Sequence, residues 1–366
     1  MVANGLLLNS APQLSSLPVI HIAPYLADHN GHGRLSTSAA LHAACKEFGF
    51  FYLDLTGFAT PEETEELGRL AREFFALPSE EEKIRVGLQD NARGYQRLKE
   101  NVTNGKADNH EGIDFYKPVS NPDKTKVLWG ENQWPSVPGF REKYEKWIEK
   151  MKELGLIVME AMAVGLGVTS EEWEELRRNV DDSFWVLRVI GYPPLTNDHE
   201  GLSCGAHRDY GCLTFLWADE TEGALQVFLQ QPGLVVKTLP PYGGGLADEA
   251  VEEGTWVNAD PIKGCLVCNI GEMWEVWSNG LYKSTLHRVI HRGSNYRVSV
   301  PFFFEPNFDA LIKPLNAVLR MQAEDSNFLH PRERKRVGPN YEPVQYGEFL
   351  RKKVGNNFDL GKGKYD

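Results

Sequence analysis

Cysteine is scarce in this chain, with five residues among 366. An odd and sparse set fits a reducing compartment better than a disulfide framework, so the expected location is cytoplasmic. No stretch is long and apolar enough to span a bilayer, and Met1 to Pro18 lacks the basic region and apolar run of a secretory leader. Positive charge is also in deficit: 39 Lys and Arg against 51 Asp and Glu leave a formal net charge of −12. That is the wrong sign for nucleic acid or another polyanion as main partner, and the short basic stretch Arg332 to Arg336 reads as a solvated loop. Internal repeats are absent, and low complexity extends no further than Gly243-Gly244-Gly245. What is present is a soluble globular composition, 42% hydrophobic, with enough core for one large domain or two modest ones. The expected partner is a small molecule, with no membrane contact, and the expected assembly is a monomer or weak homo-oligomer.

The first part of the chain alternates element types. It offers a short strand at Val19 to Ile22, a helix from about Ser36 to Phe48 and a strand at Phe50 to Leu55. Pro61 opens a helix whose apolar residues Leu67, Leu70, Ala71, Phe74 and Phe75 fall at helical spacing, and Pro78 ends it. Asp90 to Pro122 has little periodicity and reads as a long loop, a length uncommon unless functional. Phe140, Tyr144, Trp147, Met151, Leu154 and Val158 mark a long amphipathic helix over about 138–165 that braces a sheet. From Phe184 onward short β-rich runs follow, at Trp185 to Tyr192, Leu213 to Trp217, Leu225 to Leu229, Trp256 to Asn258, Cys265 to Ile270, His287 to Val289 and Arg297 to Phe304. Turn residues separate them, which predicts a sandwich or barrel such as a jelly roll. Gln230 to Gly254 breaks the rhythm as an inserted loop. Cys265 and Cys268 have the C-x-x-C spacing of zinc and redox sites. Strand geometry sends the two sulfurs to opposite faces and no second pair completes four ligands, so ordinary buried thiols are expected.

Within the β-rich half lie His207 and Asp209, two apart, and His287. On a strand, His-x-Asp puts imidazole and carboxylate on one side. Two His and one carboxylate on one face of an octahedral ion leave the remaining positions open, as in non-haem Fe(II) oxygenases. His-x-Asp alone does not single out such a site. The combination with a downstream His and with Arg297-Val298-Ser299, whose Arg and Ser share a strand face able to grip a carboxylate, does. His291 competes with His287 as third ligand, and spacing alone leaves that choice open.

Gly205-Ala206-His207-Arg208-Asp209-Tyr210-Gly211-Cys212-Leu213-Thr214 resembles the strand and turn of the 2-oxoglutarate and Fe(II)-dependent oxygenases, in the isopenicillin N synthase-like branch. Asn269-Ile270-Gly271-Glu272, Trp277 to Val289 and Arg297 to Phe303 continue the likeness, and they select His287 over His291. Leu17-Pro18-Val19-Ile20, Gly49-Phe50-Phe51-Tyr52 and Phe74 to Pro78 resemble the family's leading domain, so nearly the full chain is covered. Two departures stand out. The interval between Asp209 and His287 is longer than usual, which Gln230 to Gly254 accounts for, and Glu272 replaces an Asp common in relatives.

The resemblance implies a mixed, mainly β fold: a double-stranded β-helix (jelly roll) core, a long bracing helix and an α/β N-terminal region. It divides the chain into 1–135, a bracing region 136–180, a jelly-roll domain 181–310 and a helical extension 311–366. It implies Fe(II) held by His207, Asp209 and His287, and 2-oxoglutarate chelated to it with the far carboxylate on Arg297 and Ser299, assisted by Tyr192. Dioxygen is the co-substrate, succinate and CO2 are released, ascorbate is a candidate stimulant, and a substrate hydrogen is abstracted. The outcome is hydroxylation, desaturation or cyclisation of a small organic molecule, plausibly a specialised metabolite. Strand alternation turns Phe303 inward as the best candidate for facing substrate. Arg93, a candidate for binding an acidic substrate group, and Tyr95 lie in the long N-terminal loop that in relatives folds over the barrel mouth; Thr214 and Leu225 are further wall candidates by family position, and Trp217 is assigned to the core rather than to an aromatic substrate. An oxidase of the same fold that does not use 2-oxoglutarate, and an inactive jelly-roll binding protein, are the alternatives.

Overall fold

Alternating apolar residues build two sheets. The computed structural model describes residues 16–28, 31–77, 80–88, 90, 92–103, 105–195, 202–230, 254–327 and 338–359. In chain order the strands of the two main sheets are β1 (Val19–His21), β2 (Phe50–Asp54), β3 (Gly94–Gln96), β4 (Glu111–Tyr116), β5 (Val186–Tyr192), β6 (Cys204–His207), β7 (Leu213–Ala218), β8 (Leu225–Gln230), β9 (Gly254–Asn258), β10 (Cys265–Ile270), β11 (His287–Val289) and β12 (Arg297–Phe304). Eight of them run in the order β1-β2-β10-β7-β12-β5-β4-β3, and the other four run β9-β8-β11-β6. Apart from the parallel pair β1 and β2, the ladders are antiparallel. Phe50, Tyr52, Ile190 and Val267 of the larger sheet meet Leu225, Val227 and Val289 of the smaller in one buried cluster. The two sheets thus close over a shared interior, which is the predicted jelly roll.

The opposite face of the larger sheet is covered by helices. Helix α1 (His32–Glu47) starts earlier than the periodicity predicts, and α2 (Pro61–Phe75) begins at Pro61. Thr60 and Glu63 form a capping box at the start of α2, which satisfies two otherwise orphaned backbone donors. The long helix α3 (Phe140–Gly165) packs against β12, α1 and α2. Its Tyr144, Met151, Leu154 and Val158 join Leu70, Phe74, Phe302 and Phe304 in the main apolar core. Each such side chain taken fully out of water contributes about 1.5–3 kcal/mol. Trp217 packs against this core, as its assignment predicts. All five cysteines are free, with Cys268 on the helix side of β10 and Cys265 against the barrel interior.

The long loop expected over Asp90 to Pro122 is corrected: it contains β3 and β4, which extend the larger sheet. In β4, Ile113 and Phe115 face the helix-side core while Gly112 and Asp114 face the other way. This alternation spans only six residues and is flanked by Gly-, Asn- and charge-rich sequence, too short a run to stand out. The N-terminal strands therefore lie at both edges of the sheet that carries the jelly roll. Gln230 and Gly254 pair with each other at the ends of β8 and β9; the interior of the inserted loop, and the basic stretch Arg332 to Arg336, fall outside the described residues. Two further helices matter below, α4 (Glu272–Trp277) and α5 (Tyr346–Asp359). Among the described residues no helix is long and apolar enough to cross a membrane.

Candidate active site

Strand β6 ends at His207, so Asp209 lies in the turn leading to β7 rather than on a strand. The expectation that simple alternation aligns the pair is corrected accordingly. Alignment comes instead from backbone bonds to α4. Glu272 N–H donates to Asp209 O at 2.9 Å, Met273 N–H to Gly211 O at 3.0 Å and Gly271 N–H to Cys212 O at 2.9 Å. A Cβ at Gly271 would lie 2.3 Å from Gly211 O, so this contact needs glycine.

The ladder between β6 and β11 sets His207 opposite His287, with ring centroids 4.3 Å apart. Both Nε2 atoms lie 3.7 Å from Asp209 Oδ1, and the three groups lie close enough to share one ion. Each Nδ1 meets a backbone carbonyl, Gly205 O at 2.8 Å and Thr285 O at 3.1 Å, which turns Nε2 toward the shared centre. Asp209 Oδ2 accepts from Asn269 Nδ2 at 2.6 Å and from the Thr214 hydroxyl, so Oδ1 is the oxygen left facing the imidazoles. Burial opposes ionisation of Asp209, but His287, His207 and these hydrogen bonds hold it below the usual carboxylate range. Burial and the neighbouring His207 push His287 down to about 4. Burial also opposes a proton on His207, yet Cys204 and Asp209 outweigh it and lift that imidazole to about 10. Two nitrogen donors and an ionised carboxylate suit a divalent transition metal, which would displace the proton on binding. His291 is the discarded competitor: it is buried, and its Nε2 meets Asn295 O at 2.7 Å.

Farther along the interior, Arg297 is 2% exposed, and its Nε and Nη1 are buried with no hydrogen-bond partner among the described residues. Its guanidinium lies 4.8 Å from the centre of the Tyr192 ring, and Ser299 reaches the Tyr192 hydroxyl. A buried guanidinium without partners is costly, and a carboxylate is the group that satisfies its planar fork. The residues present therefore fit a dicarboxylate with one end on Arg297.

The substrate-wall candidates fare differently. Arg93 is fully buried, pairs with Asp90 at 2.7 Å and donates to Lys117 O at 3.0 Å. Tyr95 packs edge-on against Phe74 of α2, on the helix side of the sheet, and its hydroxyl reaches Glu111. Both are structural, because β3 is a sheet strand and not a flap over the barrel mouth. Thr214 is occupied in holding Asp209. Leu225 lines a small cavity beside Arg297 together with Leu216, Ala218, Ala259 and Val267, at the anion end of the interior. Phe303 stays partly exposed, opposite Thr214 on the neighbouring strand. Sequence reasoning missed the role of Asn269, although its two-residue spacing from Val267 put it on the interior face. Glu272, which stands where relatives commonly have Asp, pairs with Lys353 of α5 at 2.8 Å.

An open-faced metal centre inside a jelly roll is the hallmark of the non-haem iron oxidoreductases. Residues 17–137 match the model described as non-haem dioxygenase in morphine synthesis N-terminal, and residues 181–306 match that of the 2OG-Fe(II) oxygenase superfamily. The chain is 38% identical to homoarginine-6-hydroxylase of Glycine max over 95% of its own length and 99% of that protein's. It is 30% identical to a 2-oxoglutarate-dependent dioxygenase of Monascus ruber, covering 82% and 88% of the two chains. The fold matches that of a full-length Neurospora crassa protein crystallised in complex with alpha-KG and thymine, with a TM-score of 0.72, 24% identity and coverage of 95% and 98%. The chain belongs to the 2OG-Fe(II) oxygenase superfamily. It is a 2-oxoglutarate-dependent dioxygenase, with Fe(II) and 2-oxoglutarate as its cofactors.

Proposed function

We propose that His207, Asp209 and His287 hold Fe(II) and that Arg297, with Ser299 and Tyr192, takes the far carboxylate of 2-oxoglutarate. We further propose that the substrate is a small amino acid bearing a guanidino group, and that the outcome is hydroxylation. The single observation that carries the co-substrate assignment is the pair of unpartnered, buried nitrogens on Arg297. The substrate class is supported by relatives named homoarginine-6-hydroxylases in Glycine max and Oryza sativa, at 38% and 37% identity. The reading carries with it the division into 1–135, 136–180, 181–310 and 311–366, and a monomer or weak homo-oligomer with no nucleic-acid or membrane partner.

When bound, iron and 2-oxoglutarate supply the oxidising power, drawn from dioxygen with release of succinate and CO2, that removes hydrogen from the substrate. The chain's own residues do the positioning. Thr214 and Asn269 fix one oxygen of Asp209 and leave the other for the metal. The carbonyls of Gly205 and Thr285 hold the imidazoles in orientation. Ile190, Val227 and Val267 keep the interior dry, which strengthens the charge contacts made there. Phe303, paired with Thr214 across the ladder between β12 and β7, is the proposed aromatic wall.

Anaerobic titration of the metal-free protein with Fe(II) and 2-oxoglutarate tests the assignment through the visible charge-transfer band of the chelate. The band is expected in the parent, absent in His207→Ala and shifted to much higher co-substrate in Arg297→Ala. Iron binding with no band favours the oxidase reading. Succinate released in step with homoarginine consumption tests the substrate class, and its absence across guanidino amino acids would overturn that part alone.

A further inference from the structure

Beside the candidate iron site lies a second group that the mechanism does not use. Asp108 and His110, from the connection between β3 and β4, and Cys204, the first residue of β6, bring a carboxylate oxygen, a ring nitrogen and a sulfur within 4.8 Å of one another. Asp108 is 3% exposed and His110 1%. The Asp108 carboxylate accepts from the Thr103 hydroxyl at 2.7 Å and from Gly205 N–H at 2.8 Å, which orients the group without neutralising it. His110 Nδ1 meets Ser203 O at 2.8 Å. Only a donor faces a carbonyl, so Nδ1 carries the proton and Nε2 presents a lone pair. That Nε2 is buried with no hydrogen-bond partner among the described residues. Burial pushes His110 down to about 3, so the ring stays neutral.

Carboxylate oxygen and Nε2 lone pair are both acceptors, and the Cys204 sulfur is at best a weak donor. Two buried carboxylates, Asp108 and Asp114, flank one guanidinium, Arg188, whose Nε donates to Asp114 at 2.8 Å. Burial raises the Asp108 carboxyl above its ordinary range although His207 and Arg188 lie near, so its charged form is costly there without a further cationic partner. The location is functional: Cys204 Sγ is 3.8 Å from His207 Nδ1, and the His110 ring packs 5.5 Å from that of Tyr192. A group held there lies between the candidate metal ligands and the candidate co-substrate ligands.

We propose that Asp108, His110 and Cys204 form the subsite that receives the cationic end of the substrate, a guanidinium whose N–H groups complete the Asp108 carboxylate and the His110 lone pair. This rests on the substrate class proposed above and assigns it to residues. Hydrogen bonds to a charged partner are worth roughly 1.5–3 kcal/mol each, so one lost bond weakens binding roughly 10- to 100-fold.

The test is calorimetric binding of homoarginine, and of its uncharged isostere homocitrulline, to the Fe(II) and 2-oxoglutarate-loaded protein under anaerobic conditions. The parent is expected to prefer homoarginine roughly 10- to 100-fold, as the bond strengths above require. Asp108→Asn removes most of that preference while the charge-transfer band keeps its co-substrate dependence. His110→Phe, which retains the packing on Tyr192 but has no acceptor, lowers the preference independently should the first variant fail to fold. If the parent discriminates and both variants still do, the subsite lies elsewhere and the substrate class survives. If the parent binds neither compound, the substrate class and the subsite fall together. If a second equivalent of Co(II) binds with a thiolate absorption that Cys204→Ala abolishes, the cluster is a metal site and the proposal is wrong.

Discussion

Strand β12 carries buried residues on two faces that are chemically opposite. Val298, Val300, Phe302 and Phe304 are each no more than 1% exposed and meet the helices, whereas Arg297 and Ser299, at 2% and 1%, meet the barrel interior. Burial alone therefore does not distinguish stability from function in this molecule. The kind of unmatched group does. Among the described residues, single indole nitrogens, Trp147 Nε1 and Trp274 Nε1, go unmatched in the helix-side core, while the interior leaves two guanidinium nitrogens of Arg297 and the Nε2 of His110 unmatched. Those atoms cost folding energy that a ligand recovers.

The sharpest separation of the two faces is His207→Ala. It is expected to abolish stoichiometric iron binding and lower turnover by about a thousandfold or more, on the order of 4 kcal/mol, with a thermal midpoint close to the parent's; metal analysis and melting together check it. Phe304→Ala is the mirror image. It should cost about 3–5 kcal/mol of stability in a denaturant titration, with the 2-oxoglutarate requirement of the folded fraction unchanged. Arg297→Leu comes next: half-saturation in 2-oxoglutarate rises roughly 10- to 100-fold, and stability holds or increases because an unpartnered buried guanidinium is gone. A loss of stability there would mean that Arg297 serves the fold.

Glu305 offers a subtler probe. Burial raises its carboxyl to about 8, and the Tyr346 hydroxyl is its hydrogen-bond partner. Between the ordinary carboxylate value of 4.5 and about 8 the folded chain holds a proton that the unfolded chain has released. Stability should therefore fall as pH rises through that window, by at most about 1.4 kcal/mol per unit, and Glu305→Gln should flatten the slope measured by denaturation at several pH values. Last, Thr214→Val removes one of two donors to Asp209. Iron affinity is expected to drop about tenfold with little change in 2-oxoglutarate binding; an equal loss of both would show that the two ligands share Thr214.

Much of this was legible in the chain itself. The runs Cys265 to Ile270, His287 to Val289 and Arg297 to Phe304 form strands with those limits, because apolar alternation and turn residues bound them. His207, Asp209 and His287 converge as the motif implies. What escaped were short strands set among polar residues and glycines. In β4, Ile113 and Phe115 alternate with Gly112 and Asp114 over too few residues to stand out, and in β6 the strand is four residues long and carries Gly205. Arg93 and Tyr95 were misplaced for the same reason, since a segment read as loop gives no face on which to assign a side chain. The partners of Asp209 escaped because Asn269 lies 60 residues away and meets it only through the ladder between β10 and β7.

The turn bearing Asp209 is tied to the start of α4 by main-chain bonds, closed over Gly271. Most side-chain replacements cannot delete a bond of that kind. The place of Asp209 is thereby set by main-chain bonds and not by the side chain of Phe303, so a replacement at that proposed substrate wall leaves those bonds in place. One scaffold can thus acquire new substrates by drift at the walls, without passing through an ancestor that has lost its metal.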